Sequence, residues 1–149
     1  MKRFFLLLLT LGLTLSPLLA QKGLQTEQLF GSELRNRKGS TEVLVTGTKA
    51  ARYGLTLFRS LTFCPTKQES AWAERLVRAD RAQAVSMEEG RRNARLYYGF
   101  YELEAKDKQM HRYLFYRNNQ LKDGAKGTVI VIYMEGSATV AALKRHFAQ

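Results

Sequence analysis

Cysteine is almost missing from this chain of 149 residues: Cys64 is the only one. A lone cysteine excludes an intramolecular disulfide and any zinc site built on several thiolates. Between Phe63 and Pro65 it is expected to be a partly buried small hydrophobe rather than a nucleophile, with an intermolecular disulfide as its other use. Histidine is nearly as scarce. His111 and His146 stand in regular elements, and neither belongs to a spaced cluster with carboxylates, so no metal site is expected. There is no phosphate-cradling glycine loop and no Gly-x-Ser-x-Gly elbow, so the usual signs of nucleotide binding and of serine hydrolysis are absent and no cofactor is implied. Repeats, low-complexity tracts and interior linkers are absent too. Acidic side chains are few, 13 against 24 basic ones, for a formal charge of +11.

What the chain does have comes first in its order. Lys2 and Arg3 precede an apolar run from Phe4 to Leu15, broken only by Thr10, Gly12 and Thr14; Ser16-Pro17 then stops a helix, and Ala20 precedes Gln21. Charge, apolar core and small-residue cut are the order of a secretory signal peptide, residues 1–20, although Leu18 is larger than usual three positions before the cut. The run is shorter than the ~20 residues a spanning helix needs. No cysteine follows it to accept a lipid. Cleavage leaves residues 21–149, enough for a single domain, with no later span. With Lys2 and Arg3 gone, 22 basic side chains face 13 acidic ones, a formal +9. Such an excess attracts anionic partners: phosphorylated headgroups, acidic polysaccharide, nucleic acid or an acidic protein.

The periodicity predicts an α+β domain. Leu24, Gln28, Leu29 and Phe30 suggest a short N-terminal helix, and Arg35 to Ser40 a loop. Thr41–Thr46 alternates, as does Leu55–Phe63, where Arg59 intrudes on the apolar face. Thr66-Lys67-Gln68-Glu69 has capping-box spacing, followed by Trp72, Leu76 and Ala79 at helical intervals. Trp72 and Leu76 are expected between that helix and the sheet. Strands are expected at Leu96–Leu103, Met110–Arg117 and Thr128–Met134, the last apolar enough for a central position covered on both faces. A final helix through Val140, Leu143 and Phe147 is expected to be capped by Ser137. The whole reads as an antiparallel sheet of about five strands with helices packed mainly on one face.

Candidate binding residues lie around the first aromatic strand. Arg91, Arg92 and Arg95 precede it, and Tyr97, Tyr98 and Tyr101 are in it. Strict alternation puts Tyr97 and Tyr101 on one face and Tyr98 and Phe100 on the other, with Gly99 leaving a gap that a ring or a ligand can fill. Arginine beside aromatic rings suits stacking and phosphate or carboxylate contacts. Aromatics packed across strands beneath helices are the plainer explanation. Further basic groups, Arg35-Arg37-Lys38 and Lys122-Lys126, are placed in loops. Glu102 and Glu104 share one side of a strand and, with His111 or a tyrosine, are the only candidates for acid–base work.

Two segments, Arg95-Leu96-Tyr97-Tyr98-Gly99-Phe100-Tyr101 and Arg112-Tyr113-Leu114-Phe115-Tyr116-Arg117-Asn118-Asn119, together with Ile132-Tyr133-Met134-Glu135-Gly136, resemble a family of small exported bacterial proteins of unknown function. Gln21 directly after the cut is similar to exported proteins of Gram-negative gut and oral anaerobes. The resemblance implies a periplasmic, outer-membrane-associated or extracellular location and no activity. The combined reading is a non-enzymatic cell-envelope domain that binds a protein or an anionic envelope component at Arg91, Arg92, Arg95, Tyr97 and Tyr101. The alternatives are a small exported enzyme and a nucleic-acid-binding module, the latter disfavoured by export.

Overall fold

The structure, a computed structural model, describes residues 23–147; the leader at residues 1–20 lies outside the described residues. Two short 3-10 turns, Gln25–Gln28 and Glu33–Asn36, stand where an N-terminal helix was expected. Then come β1 (Thr41–Thr46), α1 (Gly47–Ala51), β2 (Leu55–Phe63), α2 (Lys67–Asp80), β3 (Ala84–Arg92), β4 (Arg95–Asp107) and β5 (Met110–Asn118). The chain continues with α3 (Gln120–Asp123), β6 (Val129–Gly136) and α4 (Val140–Phe147). The strands form one antiparallel sheet in the order β1-β2-β6-β5-β4-β3. The fold is α+β. No helix among the described residues is long and apolar enough to cross a membrane.

The sixth strand is β3, which pairs with β4 at one edge. Its Ser86-Met87-Glu88-Glu89-Gly90-Arg91 has neither alternation nor strong β formers, because an edge strand has only one neighbour to satisfy. Arg91 and Arg92 therefore lie in a strand rather than ahead of one. The β3–β4 turn holds Asn93 and Ala94 at φ 51 and 61. Asparagine tolerates that left-handed region, but alanine does not, and two-residue hairpin turns favour glycine there. Ala94→Gly should raise stability by about 1 kcal/mol, read as a higher urea midpoint with an unchanged m-value; a midpoint that falls would contradict the left-handed assignment.

Because β2 lies near one edge and β3 at the other, α2 must cross the sheet, and it does so over one face. Its capping box forms as the spacing predicts: Thr66 Oγ1 accepts from Glu69 N at 3.2 Å, and Thr66 N donates to Glu69 Oε2 at 2.9 Å. Ala73, Leu76 and Val77 are buried with Leu61, Phe63, Tyr101, Leu103, Leu114, Tyr116, Val131 and Tyr133. Trp72 only borders this core and Ala79 is exposed. The helix is rotated from the expected face because it also buries Ser70, Glu74 and Asp80. Each of these has partners. Ser70 Oγ accepts from Asn118 Nδ2, Glu74 accepts from Leu96 N and Arg95, and Asp80 accepts from Gln25 N, Thr26 N and the Thr26 hydroxyl. Arg59 is accommodated rather than solvated. It pairs with Glu42 at 3.0 Å and lies over the Phe30 ring.

On the opposite face, Ala50 of α1, Leu143 of α4 and Ala138 in the segment leading into α4 cover Leu55, Tyr113 and Met134. The cap of α4 is Thr139, whose Oγ1 accepts from Ala142 N, rather than the exposed Ser137. Cys64 is exposed, not partly buried, because the apolar side of β2 ends at Phe63.

Tyr101, Tyr113, Tyr116 and Tyr133 are completely buried. Burial pushes the Tyr113 and Tyr116 phenols up to about 12. Tyr101 and Tyr133 are also raised, by burial first and then by hydrogen bonds to Glu89 and Glu135. The neutral phenol is thus favoured by folding. Its contribution is complete below the ordinary value of 10 and is lost as pH rises through 10 towards the folded values. In an alkaline titration these four rings should ionise together with the loss of far-ultraviolet circular dichroism. Complete phenolate absorbance with the dichroism intact would show that water reaches them in the native state.

Candidate functional site

β6 is internal, as its apolar run predicts, yet Ile130 and Ile132 are only half-buried. The helices on this second face stop short of covering it. Alternation and register bring Ile132 of β6, Phe115 of β5 and Phe100 of β4 into one row across three strands, with Arg117 and Tyr98 paired in the next. Phe58 of β2 flanks the row on one side, and Leu143 and Lys144 of α4 form a wall. The result is an open groove of about 380 Å³. That volume falls within the range of small-molecule sites. The rings are held by each other. Tyr98 meets Phe115 edge-on at 5.6 Å, and Phe100 lies 5.8 Å from Tyr113, which stacks on His111 at 6.0 Å.

Charge is confined to one end. Arg117 is exposed; its Nη2 donates to the Tyr97 hydroxyl at 3.4 Å, and its guanidinium lies over the Tyr97 ring. The Arg92 guanidinium lies 5.4 Å from the same ring. Lys144 Nζ bonds Glu88 Oε2 at 2.9 Å, which raises the ammonium above its ordinary value. The Tyr98 phenol is raised as well, by burial first and by nearby Glu88 second, against the lowering effect of Lys144 and Arg117. Among the described residues no carboxylate pairs with Arg117.

The structure separates the residues singled out from the sequence. Arg91 pairs with Leu96 and Gly90 with Tyr98, which leaves Tyr97 as a bulge. The bulge breaks the alternation expected for Tyr97 and Tyr101. Tyr97 meets Arg117 and Arg92 beside the groove, while Tyr101 points into the core under α2 and donates to Glu89 at 2.8 Å. The gap over Gly99 is filled by Tyr101 itself: a Cβ there would lie 2.6 Å from Tyr101 Cζ. Arg95 also turns to the α2 side, its Nε 2.6 Å from buried Glu74. Arg91 reaches Glu89 only at 3.9 Å. Of the other basic groups, Arg37 is tied to Glu69. Sequence reasoning missed Phe58, Phe100, Phe115, Ile132 and Lys144 as a set. The one signal was the period-2 row of Tyr113, Phe115 and Arg117 in β5, which needed partners from strands far away in sequence.

A second, polar cluster lies at the β4–β5 end, beside a cavity of about 170 Å³ lined by Asp107, Met110, His111, Arg112 and Glu135. His111 Nδ1 is 3.0 Å from Glu102 Oε1, while Glu104 is exposed. Arg112 is buried; its Nε donates to the Tyr133 hydroxyl at 3.0 Å, and that hydroxyl donates to Glu135. Among the described residues no group of three or more histidine, cysteine, aspartate or glutamate side chains is placed to hold a metal ion.

Residues 13–147 match a family described as a family of unknown function, DUF6108, and the chain belongs to it. No curated protein and no solved structure matches the chain.

Proposed function

We propose that this DUF6108 member is an exported, non-enzymatic binding domain of the cell envelope that takes its ligand in the aromatic groove. The observation that carries the reading is the uncovered row Ile132–Phe115–Phe100, an apolar floor left open by α4 and bordered by cations. Apolar side chains gain most when covered, so an open aromatic floor on an otherwise well-packed sheet favours an occupant. Export is supported by the charge, apolar run and Ser-Pro break of residues 1–20. The formal +9 of residues 21–149 suits anionic envelope components. Arg92 and Tyr97 belong to this site, whereas Arg95 and Tyr101 serve the core. A neutral, environment-sensitive naphthylamine dye should bind saturably, and Ile132→Glu should weaken it by at least about tenfold by placing a charge in the floor. Equal dye binding by both proteins would remove the groove from consideration.

A second reading, an exported enzyme, is favoured by one observation: the His111–Glu102 pair beside the Arg112–Tyr133–Glu135 chain. A hydrolytic activity lost in His111→Ala and retained in Ile132→Glu would move the function to that end of the sheet.

A further inference from the structure

We propose that the groove selects amphiphilic anions: a single apolar chain or ring system whose one carboxylate or phosphate is held at the mouth by Arg117. The inference rests on the groove being the binding site and adds the chemistry of its occupant.

Phe58, Phe100, Phe115, Ile132 and Leu143 present no donors or acceptors, so a sugar or peptide would leave its polar groups unsatisfied against the floor. Only an apolar body is compatible. The mouth is the opposite. Arg117 is exposed and has no carboxylate partner among the described residues, and its planar fork suits an oxyanion. The Tyr98 ring is part of the lining, and its hydroxyl makes no hydrogen bond to another described residue, which leaves it a second donor. Lys144 is the second cation of the lining, but it is engaged with Glu88. The two charges of that pair cancel, and among the lining residues Arg117 is left as the one cation without a carboxylate partner; Arg92 lies outside the lining, over the Tyr97 ring. A single charge fits a monoanion at the end of an apolar body and gives a neutral analogue no advantage.

The Glu88–Lys144 pair makes the idea testable in both directions. Both side chains are more than half exposed, as is suitable for substitution without unfolding. Removing Glu88 frees Lys144 and should strengthen anion binding; removing Arg117 should weaken it. Calorimetric titrations of the full-length chain with decanoate, decyl phosphate and decanol compare the headgroups on one chain length. The anions should bind about three- to tenfold more tightly than decanol at low salt, with the advantage shrinking as salt rises. Arg117→Gln should erase that advantage and leave decanol unchanged. Glu88→Gln should widen it. Whichever anion binds more tightly identifies the source, a free acid or a phosphate-bearing lipid. Equal binding of all three probes, unaffected by either substitution, would overturn the anion inference while leaving the groove as the binding site. No binding of any probe would overturn both. A chain that sediments as a dimer and dissociates when decanol binds would assign the groove to a second copy and overturn the inference.

Discussion

Tyr101→Ala should destabilise the protein by about 3–5 kcal/mol, the cost of truncating a fully buried large aromatic. The ring belongs to the core under α2, with Leu103, Leu114, Tyr116 and Val77 in the same cluster. It folds back over Gly99, and its hydroxyl reaches Glu89, which also pairs with Arg81 at 3.0 Å. Tyr101→Phe keeps the ring and loses one bond to a carboxylate, so it should cost only about 1–2 kcal/mol. Gly99→Ala attacks the same contact from the other side: its methyl would collide with the ring, at a cost of about 1–3 kcal/mol. The two sites are coupled. In the Tyr101→Ala background Gly99→Ala should become close to neutral, because the new methyl then occupies vacated space. Urea denaturation of the four proteins completes the cycle. Additive losses would mean that Tyr101 does not shield Gly99.

Asp80→Ala should cost about 3 kcal/mol and do so locally. Asp80 closes α2, where a carboxylate faces the negative end of the helix dipole and is disfavoured. Its bonds explain why it is there. It accepts from Gln25 N at 2.6 Å, Thr26 N at 2.8 Å and Thr26 Oγ1 at 2.7 Å, all at a site with 1% exposure. Alanine would leave two backbone N–H groups and a hydroxyl without partners. The segment they anchor carries Leu24, Leu29, Phe30 and Leu34 into the core. Asp80→Asn, with one accepting oxygen in place of two, should fall between wild type and alanine. Limited proteolysis of Asp80→Ala should cut first between residues 23 and 40, before the sheet opens. Initial cleavage elsewhere would show that the segment is held by its apolar contacts alone.

The parts of this fold legible in the sequence are those where one local rule acts alone. Thr66 and Glu69 are three residues apart, and their capping box forms from that spacing without help from tertiary structure. β2, β5 and β6 face a core on at least one side, so their apolar signal is strong, as alternation in β2 and as a continuous run in β6. β3 was not legible because an edge strand can be polar and still pair. Tyr97 was misassigned because a bulge shifts parity by one residue, and the shift, between the Arg91–Leu96 and Gly90–Tyr98 pairs, leaves no trace in the residue pattern of β4. The groove was partly legible. Tyr97 and Arg92 belong beside it, but its floor joins Phe58 to Phe115 and Ile132 through pairings that no local spacing encodes.

The strand order also has a consequence for the time course of synthesis. Among the described residues β6 is the last strand in chain order, yet it is inserted between β2 and β5. Until it emerges, β2 can pair only with β1, and β5 only with β4, so the growing chain holds two separate ribbons joined by α2. The apolar edge of β2, with Leu61 and Phe63, waits for Val131 and Val129. Pairings that distant in sequence carry a large loop-closure cost and form slowly. A chain ending before Val129 would therefore be two incomplete sheets rather than a shorter version of one. The C-terminal segment works as a keystone, and premature termination anywhere upstream of it should yield insoluble product.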